Sequence, residues 1–155
     1  MKETKEKTCV FFASDYHFEM ITLPFIEENL RNNKKIIVLT ENDLEDTIKN
    51  LISKVNLKEE KKEKIFKIDW KNNDLKKFKE IKKEVENKED LIIFIKGKEN
   101  YIKNVNENIE KWTNKINTVK IIDCYDVEEI REHFADVVNK YENVLSTTGE
   151  RKIER

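Results

Sequence analysis

Glycine is almost absent from this chain: there are two in 155 residues, and none lies between Met1 and Lys96. Nucleotide-binding α/β proteins need glycine after their first strand, because it lets the backbone approach a phosphate closely. At that position the chain carries Ala-Ser-Asp-Tyr-His, residues 13–17. The lack of glycine argues against nucleotide hydrolysis, but it excludes little about apolar or carboxylate ligands.

Cysteine and histidine are equally scarce, with two of each. A zinc site needs three or four ligands at a recognisable spacing, and these residues show none. Neither a metal nor another cofactor is therefore predicted. Cys9 is expected to open the first strand and Cys124 to follow the fifth, at opposite edges of a parallel sheet and beyond disulfide distance. Both thiols are predicted to be reduced.

The chain also lacks long hydrophobic runs and an excess of charge of one sign. Its 31 lysines and arginines nearly balance 32 aspartates and glutamates, which leaves a net charge of -1. That balance provides no general attraction to nucleic acid or to a lipid surface. No apolar run is long enough to span a bilayer, and residues 1–7 lack the core of a signal peptide. We therefore expect a cytoplasmic protein with no nucleic-acid or membrane partner.

Strand and helix patterns alternate along the chain, which is typical of an α/β fold with right-handed crossovers. Continuous β-branched and aromatic runs predict five buried strands, at residues 8–12, 36–39, 65–68, 91–95 and 119–122. Apolar residues at helical spacing predict helices over 18–32, 44–55, 75–85, 102–116 and 127–141. The expected architecture is a three-layer sandwich, a mostly parallel five-stranded sheet with helices on both faces. The sequence leaves the strand order open.

A single domain over residues 1–155 is predicted, with its core at 8–147 and a charged tail at 148–155. Residues 56–64 form the one long polar connection, interpreted as a mobile loop or a helix extension. The segment after Ser146 is expected either to form a short edge strand or to lack order. Pro24 falls inside the first helical pattern, where it removes one backbone hydrogen bond and is expected to bend the helix.

Polar residues follow the predicted strands at the carboxyl edge of the sheet, which is the usual ligand-binding edge of open α/β folds. The candidate ligand-binding residues at this rim are Ser14, Asp15, Tyr16, His17, Asp69, Trp70, Cys124, Tyr125 and Asp126. Residues 41–43 and 96–98 belong to the same rim. Each residue alone is typical of a loop or a helix cap, whereas together they indicate a binding edge.

Individual rim residues leave alternatives open. His17 is a candidate proton carrier, metal ligand or anion contact. Tyr16 and Trp70 either line an apolar pocket or fold back onto the core. Cys124 lies beside two carboxylates, which raise the pKa of a thiol, so it is interpreted as structural rather than nucleophilic.

Catalytic patterns are only partly present. Asp69 and Asp123 each end an apolar run, as a Walker B carboxylate does, but the Gly-Lys-Ser/Thr partner is missing. A phosphoacceptor receiver domain needs a pair of acidic residues after the first strand, where Asp15 stands alone. No Gly-x-Ser-x-Gly nucleophile elbow occurs. No catalytic residue is therefore predicted.

Three segments together resemble the MEDS domain, the DcmR-like sensory domain. They are residues 23–30 with Pro24 and Phe25, residues 119–126 ending in Asp-Cys-Tyr-Asp, and residues 143–145 after the closing helix. The resemblance spans about residues 8–147. It implies a degenerate member of the RecA/KaiC-like superfamily, with a P-loop-NTPase-like fold that has no P-loop. It also implies signal sensing in a bacterial family attached to histidine kinases and transcriptional regulators, with small carbon compounds as suspected signals.

The leading hypothesis is therefore a non-enzymatic signal-sensing or regulatory module. It would bind a small ligand, or a partner such as a histidine kinase or a transcriptional regulator, at the rim. The alternative is an atypical nucleotide-binding protein or enzyme that uses Asp15 and His17. A structural partner subunit is a third hypothesis, suggested by the many charges on helix faces.

Overall fold

The computed structural model describes residues 7–113, 116 and 118–154, and in these residues six strands form one sheet. The strands are β1 (Thr8–Phe12), β2 (Lys35–Thr40), β3 (Leu91–Gly97), β4 (Val119–Asp126), β5 (Asn143–Ser146) and β6 (Gly149–Lys152). The helices are α1 (Asp15–Arg31), α2 (Glu45–Lys54), α3 (Glu59–Phe66), α4 (Asp74–Glu86), α5 (Glu99–Thr113) and α6 (Phe134–Val138). The predictions for residues 1–6 and for Arg155 in the charged tail fall outside the described residues.

The strand order is β2-β3-β4-β1-β5-β6, with every neighbouring pair parallel except β5 and β6. The connection that follows β1 crosses to β2 at one edge, whereas the connection that follows β4 crosses over β1 to β5. Neighbouring strands whose connections leave in opposite directions create a crevice at their carboxyl ends. The switch point of this fold therefore lies where β1 and β4 end, with Phe12 opposite Asp126.

Helices cover both faces of the sheet. One face packs against α1, α2 and α3 through buried residues that include Phe18, Ile48 and Ile65. The other face packs against α4 and α5 through residues such as Ile81 and Ile102. This arrangement confirms the predicted α/β fold with a mostly parallel sheet. None of the described helices is both long and apolar enough to cross a membrane.

The strand predicted at residues 65–68 is wrong. Ile65 and Phe66 form the last turn of α3, and the chain then turns towards α4. The lysines and glutamates of residues 58–64 are good helix formers, so the helix continues into the short apolar run and buries Ile65. Three apolar residues in a segment of four do not by themselves distinguish a strand from a buried helical turn. Of the two interpretations of residues 56–64, the helix is the one observed.

The end of the chain also differs from its prediction. In place of one helix over 127–141, turns and a 3-10 turn (Arg131–His133) lead into the five-residue α6. The next segment returns to the sheet as β5, parallel to β1, and β6 folds back antiparallel to it. The sheet therefore has six strands rather than the predicted five, and the proposed edge strand is present.

Cys9 and Cys124 are free and buried, as predicted, but the reason given for their separation is wrong. They lie on neighbouring strands, since Val10 is opposite Cys124 and Cys9 is opposite Asp123. Side chains of successive strand residues point to opposite faces, so Cys9 joins one core and Cys124 the other. The sheet itself separates the thiols. Burial, followed by the charge of Asp123, raises the pKa of the Cys9 thiol to about 12.

Candidate functional site

The structure divides the predicted rim into three places. Residues 14–17 form the start of α1 beyond the carboxyl end of β1, and Asp126 ends the neighbouring strand β4. Asp69 and Trp70 lie in the turn between α3 and α4. Cys124 and Tyr125 lie inside β4, where both are buried. Of the predicted rim residues, only residues 14–17 and Asp126 lie at the switch point.

The loop at residues 13–17 is organised by side chains instead of glycine. Ser14 is the N-cap of α1, and its Oγ accepts a hydrogen bond of 3.1 Å from the backbone N–H of His17. The Nδ1 atom of His17 in turn accepts from the N–H of Ala13 at 2.8 Å. An accepting Nδ1 places the proton of a neutral imidazole on Nε2. Tyr16 projects outwards with 62% of its surface exposed.

A buried lysine lies beside this loop. Lys96, in β3, is only 3% exposed. Its Nζ lies 2.9 Å from Asp15 Oδ1 and 3.2 Å from Asn42 Oδ1. The ammonium group also sits 4.8 Å from the centre of the Phe12 ring, a cation–π distance. Charge pairing, one hydrogen bond and an aromatic face thus compensate for the burial of this cation.

Glu19 completes the group. It is 2% exposed, and its Oε1 has no hydrogen-bond partner among the described residues. Burial is the main reason that the pKa of the Glu19 carboxyl is raised, and the negative charge of Asp15 raises it further. A hydrogen bond from the Thr47 hydroxyl and the positive charge of Lys96 act in the opposite direction and lower it. Glu19 lies one helical turn after Asp15, the partner of Lys96, so the two carboxyl groups are neighbours on one side of α1. We call Asp15, Glu19, Asn42 and Lys96 the Lys96 cluster.

An unpartnered, buried carboxyl oxygen is unusual in a folded protein, because desolvation of the atom costs about 1–3 kcal/mol. The Lys96 cluster has such an atom beside a buried cation, next to the switch point of the sheet. A molecule that donates a hydrogen bond to Glu19 Oε1 would recover that free energy. The cluster therefore has the chemistry of a binding site for a small polar molecule.

Sequence reasoning placed Asp15 in the site, named Asn42 and Lys96 only as part of the wider rim, and missed Glu19. A signal for Glu19 existed. Glu19 lies one helical turn after Asp15 and one turn before Thr22 and Leu23, both of which are buried. A charged residue on the buried stripe of a helix needs a partner or a function.

Trp70 belongs to the core, which is one of its two predicted alternatives. It is 3% exposed and packs among the residues that α1, α2 and α3 bury. Its indole N–H donates to the carbonyl of Ile65 at 2.9 Å. The side chain therefore anchors the turn after α3 and is not accessible at the rim.

Asp69 organises the same turn. Its Oδ1 accepts from the backbone N–H of Lys71 at 2.9 Å, and its Oδ2 accepts from the Asn73 amide at 3.2 Å. Burial raises the pKa of Asp69, but these hydrogen bonds and the charges of Lys77 and Lys76 together lower it below its ordinary value. Asp126 likewise holds the turn that follows it, since its Oδ1 accepts a hydrogen bond from the backbone N–H of Glu128 at 2.9 Å.

Tyr125 is part of a buried hydrogen-bond network on the face of the sheet that packs against α4 and α5. Its hydroxyl lies 2.5 Å from that of Tyr141, which donates to Asp123 Oδ2 at 2.6 Å. The other carboxyl oxygen of Asp123 accepts from the Asn106 amide at 3.0 Å. Burial is the main reason that the pKa of Asp123 is raised. Cys124 points to the opposite face, where burial raises the pKa of its thiol.

The Asp123 network gives a pH prediction. The folded chain holds the Asp123 proton more tightly than the unfolded chain does, so the free energy of unfolding should fall as pH rises above the ordinary carboxyl pKa of about 4. The Asp123→Asn variant cannot titrate there, while its amide can donate to Tyr141. Urea unfolding from about pH 4 to pH 8 should show a weaker decline in this variant. The pKa of Glu19 is also raised, but its contribution to the pH dependence is the same in both proteins and cancels in the comparison. If the free energy of unfolding depended on pH equally in both proteins, the prediction would be contradicted.

The pair proposed for the alternative, catalytic hypothesis is not assembled. Asp15 faces Lys96 and His17 accepts from Ala13, with no hydrogen bond between the two side chains. Within the part of the chain that the structure describes, no group of three or more His, Cys, Asp or Glu residues is placed to hold a metal ion. The Nε2 atom of His133, the other histidine, lies 2.6 Å from Oε1 of Glu99 at the start of α5.

No protein-family model, curated protein or solved structure matches the chain significantly. Function must therefore be inferred from the geometry of the Lys96 cluster and the surfaces around it.

Proposed function

We propose that the protein is a non-enzymatic sensory or regulatory module whose ligand site is the Lys96 cluster with the loop at residues 14–17. One observation carries the proposal: Glu19 Oε1 is buried without a partner, one helical turn from the carboxylate that pairs with the buried Lys96, next to the switch point of an open α/β sheet. The other predicted rim residues support the fold around this site. Their hydrogen bonds are already made within the protein.

The ligand proposed for this site is a small molecule with an anionic group and a hydrogen-bond donor. Asp15 pairs with the buried Lys96 and is itself 40% exposed, so its position beside the cation can be reached from solvent. When the anionic group replaces Asp15 beside Lys96, the donor of the ligand reaches Glu19 Oε1. A small hydroxy acid or amino acid has this chemistry, in keeping with the small carbon compounds suspected as signals in the MEDS family.

Ligand binding is coupled to the rest of the protein through α1. Asp15 and Glu19 both lie in the first two turns of this helix, and Pro24 interrupts its backbone hydrogen bonding further along. The helix contacts α2, α3 and β5, so displacement of Asp15 shifts a surface that a partner can sense. A histidine kinase or a transcriptional regulator is the proposed partner. The mostly parallel sheet, with β1 between β4 and β5, supports a P-loop-NTPase-like ancestry, and the glycine-free loop makes that ancestry a degenerate one.

Thermal unfolding in the presence of small hydroxy acids, amino acids, and nucleotides with and without Mg²⁺ tests the proposal. A ligand at a hundred times its Kd should stabilise the fold by about 2.7 kcal/mol. The stabilisation should be lost in Glu19→Met, which removes the acceptor oxygen, and retained in Glu28→Met, a matched change at an exposed position of the same helix. If no small acid stabilises the protein, or if Glu19→Met responds normally, the site is wrong. Stabilisation by a nucleotide with Mg²⁺ would instead favour the catalytic alternative.

A further inference from the structure

A cavity of about 570 Å³ lies beside β2, where that strand ends the sheet. Residues 36–38 of β2 form one wall, and residues 67–69 and one side of α4 form the other. The volume falls within the range of about 300–1,000 Å³ that is typical of small-molecule sites. Among the described residues that line it there is no member of the Lys96 cluster, so this cavity is a separate place in the fold.

The lining of the cavity includes a buried cation. Lys77, on α4, is 1% exposed. Its Nζ donates to the carbonyl of Val38 at 2.5 Å and to the carbonyl of Lys71. An ammonium group has three N–H donors, so one of them has no acceptor among the described residues. This position brings the charge to the junction of β2, α4 and the turn between α3 and α4.

Lys77 also lacks a counter-ion, since it forms no ion pair with a described carboxylate. Burial lowers the pKa of its ammonium group, while the charges of Asp69 and Asp74 act from longer range to raise it. Buried charges in proteins are usually paired, because an unpaired one is costly to desolvate. An anion in the cavity would provide the missing negative charge.

The solvent-exposed part of the cavity is basic, although the chain as a whole is not. Five lysines and three carboxylates line it. Of the carboxylates, Glu84 pairs with Lys35 at 2.8 Å and Asp69 accepts hydrogen bonds from two neighbours, so Glu80 alone is unengaged among the described residues. The exposed lysines form no ion pair with a described residue; they are Lys67, Lys76, Lys79 and Lys83. The cavity therefore has an excess of positive charge.

The spacing of these lysines indicates the size of the anion. Lys76 and Lys83 are seven residues apart on α4, nearly two helical turns or about 10 Å along the axis. One phosphate or carboxylate group is too small to pair with both. Lysine binds phosphate as a point charge, whereas bidentate recognition of a carboxylate is typical of arginine, and the described lining contains no arginine. The lining favours a molecule with several phosphate groups.

We propose that this cavity, named here the Lys77 cavity, binds a small anion with two or more phosphate groups, either a sugar bisphosphate or an inorganic polyphosphate. The exposed Lys76, Lys79 and Lys83 pair with the phosphates. Lys77 adds positive charge from inside the protein, where salt screens it weakly. The site is a second ligand site and does not depend on the function proposed for the Lys96 cluster.

Isothermal titration at constant ionic strength, without added metal ions, tests the choice of anion. The probes are tripolyphosphate, fructose 1,6-bisphosphate and inorganic phosphate. At least one of the first two should bind about tenfold more tightly than inorganic phosphate, or better, and the tighter of them identifies the source of the phosphate groups. If neither binds, or if inorganic phosphate binds equally well, the proposal is wrong.

Neutralising the exposed lysines locates the site. The triple change Lys76→Gln, Lys79→Gln and Lys83→Gln should weaken binding of the tighter probe by about tenfold or more. The matched control removes three exposed lysines outside the cavity and should stay within about twofold; it consists of Lys82→Gln, Lys103→Gln and Lys111→Gln. Equal weakening in both variants would show a general attraction to positive charge and would overturn the site.

Two single variants with opposite expected effects test the charges of the lining. Lys77→Met keeps the aliphatic stem and removes the buried cation, so binding should weaken by about tenfold. Glu80→Gln removes the unengaged carboxylate from an exposed position, where folding is not at risk, and should strengthen binding by about threefold. Glu86→Gln, exposed on α4 but outside the lining, is its control and should leave the affinity unchanged. An affinity that did not rise in Glu80→Gln would contradict the proposal even if Lys77→Met failed to fold.

Discussion

Replacement of Trp70 by alanine is expected to lower the free energy of unfolding by about 3–5 kcal/mol, the range for large-to-small changes at a buried aromatic. The indole fills the core between the sheet and α1, α2 and α3, and its N–H holds the carbonyl of Ile65. The variant therefore loses apolar contacts and the anchor of the turn that follows α3. Urea unfolding followed by circular dichroism measures the change.

Two further aromatic variants make this prediction specific. Trp70→Phe keeps most of the ring and loses the N–H, which leaves the Ile65 carbonyl unpartnered, so a smaller loss of about 1–3 kcal/mol is expected. Tyr16→Ala removes an exposed ring and should change stability by no more than about 0.5 kcal/mol. If Trp70→Ala left stability intact and abolished ligand-induced stabilisation, Trp70 would be a pocket residue and the core assignment would be wrong.

The contrast between the exposed Tyr16 and the buried Trp70 shows that a sequence pattern does not predict the burial of an aromatic residue in a loop. Both were assigned to loops at the rim, and nothing local distinguishes them. Whether a loop aromatic turns inwards depends on the elements that surround it, and here α3 provides both a cavity and a carbonyl for Trp70. The sequence predicts a strand where this helix ends, because residues 65–68 carry only three apolar positions, too few to distinguish the two structures.

Strand bodies were predictable, because β1, β3 and the first half of β4 are rich in β-branched and aromatic residues. The end of β4 was not. Beyond Ile122 the strand continues through polar residues because Tyr125 pairs with Gly97 and Asp126 pairs with Phe12. Those partners are distant in sequence. Their pairing moves Cys124 and Tyr125 from the predicted rim into two opposite cores.

The proposed site lies where the sequence predicts one, but its composition differs from the predicted set of residues. The carboxyl end of β1 is the switch point that the α/β pattern indicates, and Asp15 belongs to it. Lys96 enters only because β3 and β1 flank β4, a strand order that the sequence leaves open. Glu19 was overlooked because an acidic residue in a helix rich in charge is usually solvated, and its burial is visible only once α1 is packed.

Replacement of Lys96 by methionine is expected to lower the free energy of unfolding by about 2–3 kcal/mol. Methionine keeps the aliphatic stem beside Phe12 and removes the cation that pairs with Asp15 and lowers the pKa of the buried Glu19. The loss of one partner from a fully buried pair costs about 3–5 kcal/mol, and the partial exposure of Asp15 reduces that figure. Lys98→Met is the matched control, because Lys98 is exposed two residues along the chain, and should stay within about 0.5 kcal/mol.

A double-mutant cycle separates the loss of charge pairing from the loss of packing. In a background of Asp15→Asn and Glu19→Gln, Lys96 has no carboxylate to compensate, so Lys96→Met should cost at least about 1 kcal/mol less than it does in the natural chain. Equal costs in both backgrounds would mean that Lys96 contributes packing alone. The single variant has a second use, because Lys96→Met removes the cation that the anionic group of the ligand is proposed to pair with. If the Lys96 cluster is the ligand site, Lys96→Met should also lose the stabilisation by small hydroxy or amino acids, which a purely structural ion pair would not affect.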